Sequence, residues 1–222
     1  LSNCDEWSDL YKLNKEKEVV GIYISSHPLD KYHIEMEKYA KVDLANMKKN
    51  ESRLVGSTFT VAGMITSASH LESKTGQGFG KFILEDYSDT FEFMLFNDDY
   101  LKFKPYLDKN LFVLVQVAVT QNKFSNKIYT NVKDISLLDG LIEKKSSSLK
   151  LSIELSNLNE EMLELIESSV QKHQGDKKLI MELIDTKNKI KFSSATTKYA
   201  INISKDLIQM LQDIDGLDLS LN

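Results

Sequence analysis

Residues 58–96 read TFTVAGMITSASHLESKTGQGFGKFILEDYSDTFEFMLF, and this stretch decides the fold. β-Branched and aromatic residues dominate three strand-length runs, Thr58 to Ser69, Lys81 to Asp86 and Thr90 to Phe96, parted by turn residues. Gly76, Gly78 and Gly80 fill the first connection. Asn97 to Leu107 then reads as a short helix, with Asn97 as its cap, Asp98 and Asp99 in the first turn, and Tyr100, Phe103 and Leu107 along one face. Leu111 to Thr120 and Lys127 to Leu138 form a hairpin around Asn122 to Asn126. The order β-β-β-α-β-β, a five-stranded barrel with a helix between its third and fourth strands, is that of the OB fold. Other small barrels and sandwiches share much of this pattern.

Upstream, apolar residues recur at helical spacing. Lys15 to Ile24 reads as one helix, and Leu29, Tyr32, Met36 and Tyr39 make the stripe of a second, with Pro28 in its first turn and Ser26 or His27 as its cap. Downstream, Glu143, Lys144, Lys145 and Ser146 to Ser148 read as a linker too polar for a core. Beyond it come a strand at Leu149 to Leu155 and a helix capped by Asn159 with Met162, Leu163, Ile166 and Val170 inward. Strands follow at Lys178 to Ile184, Lys189 to Phe192 and Tyr199 to Ile203. A last helix is capped by Ser204 and stopped by Gly216, and Leu217, Leu219 and Leu221 close the chain as an alternating strand. The expected class is multidomain: a short α-helical segment at 1–52, an all-β OB-fold five-stranded barrel at 53–142 and a small α+β domain at 143–222.

With 222 residues, 41% of them apolar, the chain can bury a sizeable core. Its net charge of -5 excludes a long-range basic field, so any nucleic-acid site must be local. Cys4 stands alone, which fits a reducing, cytoplasmic compartment. The longest apolar run, Leu111 to Val115, is far short of the roughly 20 residues of a membrane span. No membrane partner is expected. A start at Leu1 rather than Met is expected of a piece of a longer chain.

Catalysis finds little support. Glu85 with Asp86 point to opposite faces of a strand, and Asp98 with Asp99 suit a helix first turn, so neither pair reads as catalytic. His27, His33, His70 and His173 share no metal-ligand spacing, and the glycine-rich loop lacks the Lys-Ser/Thr ending of a phosphate-binding loop. No cofactor and no metal are expected. The stronger signal is basic residues interleaved with aromatics on the barrel loops: Lys74 and Lys81 around the first loop, and Lys123, Phe124, Lys127 and Tyr129 around the last. Lysines can track phosphates and an exposed ring can stack on a base. Lysines in turns are also commonplace solvated charges. Phe124, at a polar loop tip, is the residue hardest to explain as core, whereas Phe82, Phe91, Phe93 and Phe112 belong inside.

The stretch from Glu16 to Leu29, EKEVVGIYISSHPL, resembles a signature of the alpha subunit of bacterial replicative DNA polymerase III, a helix ending in Gly-hydrophobic-Tyr-Leu-Ser/Thr-Gly-His-Pro-Leu. It departs at Ser26, where that family has glycine. Val61-Ala62-Gly63, Leu84-Glu85-Asp86 and Glu92 to Phe96 are similar to the family's OB domain. The resemblance covers the carboxy-terminal, non-catalytic part, and neither the palm nor the phosphoesterase domain has a match here. It implies a barrel that holds single-stranded template DNA and a last domain that docks on the tau subunit of the clamp loader, among other holoenzyme subunits. In a competing reading the barrel is a spacer and the acidic last domain, through Leu217, Leu219 and Leu221, carries a protein interaction. An OB domain that binds tRNA is a third reading, against which the helical signature argues.

Overall fold

The computed structural model describes residues 7–222; Leu1 and Cys4 lie outside the described residues. Two compact units follow one another, the first ending at Asp139 and the second running Gly140–Asn222.

The first unit is a five-stranded antiparallel sheet of β1 (Thr58–Glu72), β2 (Gly78–Glu85), β3 (Thr90–Phe96), β4 (Phe112–Gln121) and β5 (Ile128–Leu137), in the order β3-β2-β1-β4-β5. β1 is long because it serves two neighbours: Thr58 to Met64 pairs with β4, and Met64 to Glu72 with β2, across a register shift between Ile65 and Ser67. Such an extra residue bends a strand and strengthens its twist. The outer strands β3 and β5 also lie against each other, so the sheet curls on itself. Inward residues of every strand meet in one core that includes Val61, Phe82, Phe93, Val115 and Val132. Phe82 and Phe93 stack 5.2 Å apart. Burying each such ring is worth roughly 1.5–3 kcal/mol.

α4 (Asn97–Phe103) joins β3 to β4 and plugs the barrel with Tyr100 and Phe103. Asn97 is not its cap. It is the first helical residue, at φ 50, and no side chain caps this end. A 3-10 turn, Lys104–Tyr106, continues the helix to Leu107.

The helices that precede the barrel do not stand apart from it. They are α1 (Asp9–Val20), α2 (His33–Tyr39) and α3 (Leu44–Lys49). Leu44 and Met47 of α3 are fully buried in the barrel core, and the Asp86 carboxylate accepts the Leu44 N–H at 2.7 Å. Lys17 of α1 forms a salt bridge with Glu85. The first helix also starts and stops earlier than its apolar spacing predicts: Ser8 caps it, and Gly21 ends it at φ 88, a conformation that costs glycine least. The stripe from Leu29 to Tyr39 is broken as well. A 3-10 turn, Asp30–Tyr32, precedes α2, because Tyr32 at φ -119 leaves the helical region.

His27 is held where this segment meets the barrel. Its ring lies 4.9 Å from that of Tyr23 and 4.5 Å from that of Tyr87, and its Nδ1 accepts the Leu29 N–H at 3.2 Å. Burial lowers its pKa below the usual histidine value, against an opposing pull from Glu85 and Asp30. The unfolded chain therefore takes up the proton first. Stability present above the unfolded value, near 6.5, is lost as the pH falls through that value towards the folded one. Urea midpoints are expected to drop between pH 7.5 and pH 5.5, and to drop less in His27→Phe. Equal slopes in the two proteins would rule out His27 as the source.

The second unit is a mixed sheet of β6 (Ser148–Glu154), β7 (Gln174–Asp185), β8 (Ile190–Ile201) and β9 (Leu217–Leu221), in the order β8-β7-β6-β9. β6 and β7 are parallel, joined through α6 (Glu160–Lys172), and α7 (Lys205–Gln212) leads into β9. Asn159 and Ser204 cap the two helices as their positions predict, accepting from Met162 and Leu207. The expected linker is ordered structure instead: Leu141–Lys145 forms α5, and Ser146 and Ser148 are buried. The physical reason is pairing with a residue distant in sequence, since the Asn222 carbonyl accepts the Ser147 N–H and the Asn222 N–H donates to the Ser148 carbonyl. The two expected strands at 189–192 and 199–203 are one strand, interrupted where Ala195 and Ala200 pair with Ile180 and Lys178 across a register shift.

Candidate nucleic-acid interface

The six sequence-predicted residues fall into two groups. Lys123, Phe124, Lys127 and Tyr129 share the β4–β5 hairpin. The Asn122 carboxamide oxygen accepts the N–H of Phe124 at 2.8 Å and of Ser125 at 3.1 Å, and Asn126 takes φ 54, so the loop's backbone is built before any ligand arrives. It holds the Phe124 side chain 100% exposed. Tyr129 is 44% exposed rather than packed in the barrel, and the Lys127 ammonium lies 5.6 Å from its ring centre.

Lys74 and Lys81 form the other group. Lys74 is exposed in a turn that Ser73 closes, by accepting the Gly76 and Gln77 N–H groups on its carbonyl and hydroxyl. Lys81 points outward from β2 and reaches Glu92 of β3 at 3.3 Å. Both partners are more than two-fifths exposed, and such a pair contributes little. Lys81 can leave Glu92 for a phosphate at small cost.

Between these lysines lies a feature that loop-centred reasoning missed. On the outer face of β1, β2 and β3, Leu71 is opposite Phe79 and Phe79 opposite Phe96, while Lys81 is opposite Met94. Directly opposed residues of antiparallel strands share a face. The Phe79 and Phe96 rings stack 5.6 Å apart at 22°. Phe96, Met94 and Leu71 are 51%, 44% and 40% exposed. This aromatic pair, bordered by Met94, Leu71 and Lys81, is a flat π-surface of the kind on which bases stack. The signal available in sequence was parity: Gly80, Phe82 and Leu84 turn inward, so Phe79, Lys81 and Ile83 must turn outward. Gly80 is required there, because a Cβ would lie 2.5 Å from Leu107 and 2.9 Å from Tyr100.

Acids border the surface, with Glu92 on it and Asp98 and Asp99 exposed just beyond Phe96. Among the described residues, no group of three or more His, Cys, Asp or Glu could hold a metal ion, and no helix is long and apolar enough to cross a membrane.

Comparison with known proteins bears on both units. Residues 59–138 match the family model described as OB-fold nucleic acid binding domain, and residues 149–222 that of the DNA polymerase III alpha subunit, C-terminal domain. The chain is similar to the C-terminal part of DNA polymerase III alpha subunits. It is 27% identical to the alpha subunit of Escherichia coli K12 over 175 residues, 78% of this chain and 15% of that protein. With the alpha subunit of Pseudomonas fluorescens it is 27% identical over 209 residues, 93% of this chain and 17% of that one. It thus spans about a sixth of the length of these polymerase III relatives. Among solved structures, the mitochondrial single-stranded DNA binding protein Rim1 of S. cerevisiae aligns with 37% of this chain and 95% of its own at 20% identity. The TM-score of that alignment is 0.28.

The apolar alternation of β9, by contrast, is that of a core-facing strand. Leu217 is buried, and Leu219 and Leu221 are half-buried beside Leu151 and Leu149. The exposed apolar side chains of the second unit lie elsewhere, at Ile190, Phe192, Leu155, Leu163 and Leu165.

Proposed function

We propose that this chain is a non-catalytic part of a replicative DNA polymerase III alpha subunit, and that its barrel binds single-stranded DNA. The observation that carries the reading is the stacked, outward-facing pair Phe79 and Phe96, with Lys81 beside it and Lys74 in the adjoining turn. Bases stack on the rings while lysines follow the backbone, and neither contact selects a sequence. The β4–β5 loop, with Lys123, Phe124, Lys127 and Tyr129, adds a second patch of the same chemistry. Net charge and the bordering acids keep affinity low, about micromolar or weaker at physiological salt. In the same reading the second unit docks on the clamp-loader tau subunit and works beside other holoenzyme subunits in the cytoplasm; the family match over residues 149–222 supports it.

Fluorescence anisotropy of a labelled single-stranded oligonucleotide tests the barrel. Affinity is expected to fall steeply as salt rises, with a log–log slope of about -0.7 for each phosphate neutralised on a single strand. The double variant Lys123→Ala, Phe124→Ala is expected to bind more weakly with a shallower slope. No binding even at low salt would leave the barrel as a spacer and the interaction scaffold as the better reading.

A further inference from the structure

The outer edge of β8 is one of the two unpaired strand edges of its sheet. β8 is terminal in the order β8-β7-β6-β9, so one row of its backbone N–H and C=O groups has no neighbouring strand. Its regular part, paired with β7 from Ile190 to Ala195, is exposed throughout, with Ile190 at 60% and Phe192 at 63%. The side chains alternate by face. Phe192 stands beside Leu183 and Ile190 beside Asp185 on one side, while Lys191 stands beside Ile184 on the other. Lys187 and Lys189 extend the positive charge into the β7–β8 turn, and none of these three lysines closes a salt bridge among the described residues. The nearby acids are already engaged: Glu182 with Lys150 at 3.4 Å and Ser152 at 3.1 Å, and Asp185 with Asn188 at 2.7 Å.

We infer that the edge of β8 from Ile190 to Ala195 takes up an extended segment of a partner protein as an added strand, and that this segment alternates acidic with apolar residues. Main-chain hydrogen bonds to an exposed edge supply affinity, and alternate side chains supply specificity. An added strand repeats the period of two, so every second side chain would cover Phe192 and Ile190 and an intervening one would meet Lys191, while Lys187 and Lys189 in the turn add positive charge at the end of the edge. Lys191 also disfavours a second β8 edge in the register that would set the two Lys191 side chains opposite each other. The inference deepens the docking reading of the second unit and rests on it for its biological setting.

The test titrates the whole chain with labelled peptides long enough to span residues 190–195. One alternates glutamate with isoleucine, one has the same composition shuffled, and one carries lysine for glutamate. The alternating acidic peptide is expected to bind at least about tenfold more tightly than either control. Lys189→Glu with Lys191→Glu, whose substitutions lie on an exposed edge, is expected to reverse the preference towards the lysine peptide while the melting temperature stays unchanged. Equal binding of the shuffled peptide, or an unchanged preference in the variant, overturns the inference. So does displacement of the peptide by a single-stranded oligonucleotide, which would make the lysines a phosphate site. Peptide competition with concentration-dependent self-association would point instead to β9 of a second copy, whose Leu217, Asp218 and Leu219 carry the same alternation. No clamp-loader subunit enters the titration, so its failure and a failure of the docking reading are separate results.

Discussion

Replacing Phe79 and Phe96 together by alanine is expected to weaken single-stranded DNA binding by at least about thirtyfold while leaving the barrel folded. Stacking of a base on an aromatic ring is worth about 1–3 kcal/mol by alanine substitution, so the loss of two rings removes about 2 kcal/mol at the low end, or roughly thirtyfold. The fold survives because the pair sits outside the core: Phe96 is 51% exposed and Phe79 half-buried, whereas Phe82 and Phe93, stacked on the inner face of the same strands, are at most 1% exposed. Phe82→Ala makes the contrast, since truncating a fully buried phenylalanine costs about 3–5 kcal/mol and should appear chiefly as a lower melting temperature. Phe124→Ala removes a single exposed ring from the separate hairpin and is expected to have the smaller effect. Anisotropy titration of the double variant, with its circular dichroism melt recorded alongside, decides the matter. Unchanged affinity in a folded double variant would transfer the site from the sheet face to the hairpin loop.

Much of this architecture was legible because local chemistry and tertiary structure agree. β3 begins and ends where its alternation does, at Thr90 and Phe96, and Asn159 and Ser204 cap their helices as their residue types predict, whereas the last helix ends at Gln212 with Asp213 as its cap, and Gly216, at φ 78, turns the chain into β9 instead of stopping the helix. The departures come from contacts distant in sequence. Ser146 and Ser148 read as linker because the run from Glu143 to Ser148 is wholly polar, yet Asn222, more than 70 residues away, pairs with that stretch and draws it into the sheet. Leu29, Tyr32, Met36 and Tyr39 fit one helical stripe, but Tyr32 is buried from a 3-10 turn and Leu29 from the residue that precedes it. At the proposed site the six residues on and beside the loops stood out as candidates from composition, with Lys81 in β2 and Tyr129 in β5, whereas Phe79 and Phe96 did not. A phenylalanine inside a strand says nothing of its face until one inward residue fixes the parity. Gly80, pressed against Leu107 and Tyr100, is that residue in β2.

Gly63→Val is expected to lower the stability of the first unit by about 3 kcal/mol, although strand propensity alone favours the change. Valine suits a strand better than glycine does, and Gly63 takes no left-handed conformation. Its constraint is space. Gly63 lies where β1 passes from β4 to β2, one residue before Met64, which pairs with both Phe112 and Glu85. A Cβ there would overlap the Glu85 carbonyl oxygen and lie 2.9 Å from its carbonyl carbon and 3.0 Å from Leu84 Cγ. Two of those atoms are backbone, so relief means separating the strands, at the upper end of the 1–3 kcal/mol that overpacking usually costs. A drop in melting temperature of roughly 10 °C should follow for a unit of this size. Gly56→Ala separates sterics from conformation: it adds a Cβ with nothing within 4 Å, but at φ 85, and should cost only about 1–2 kcal/mol. A Gly63→Val protein as stable as the parent would mean that β1 and β2 part at this point in solution, and with them the turn that carries Glu85 and Asp86 to the helices α1 and α3.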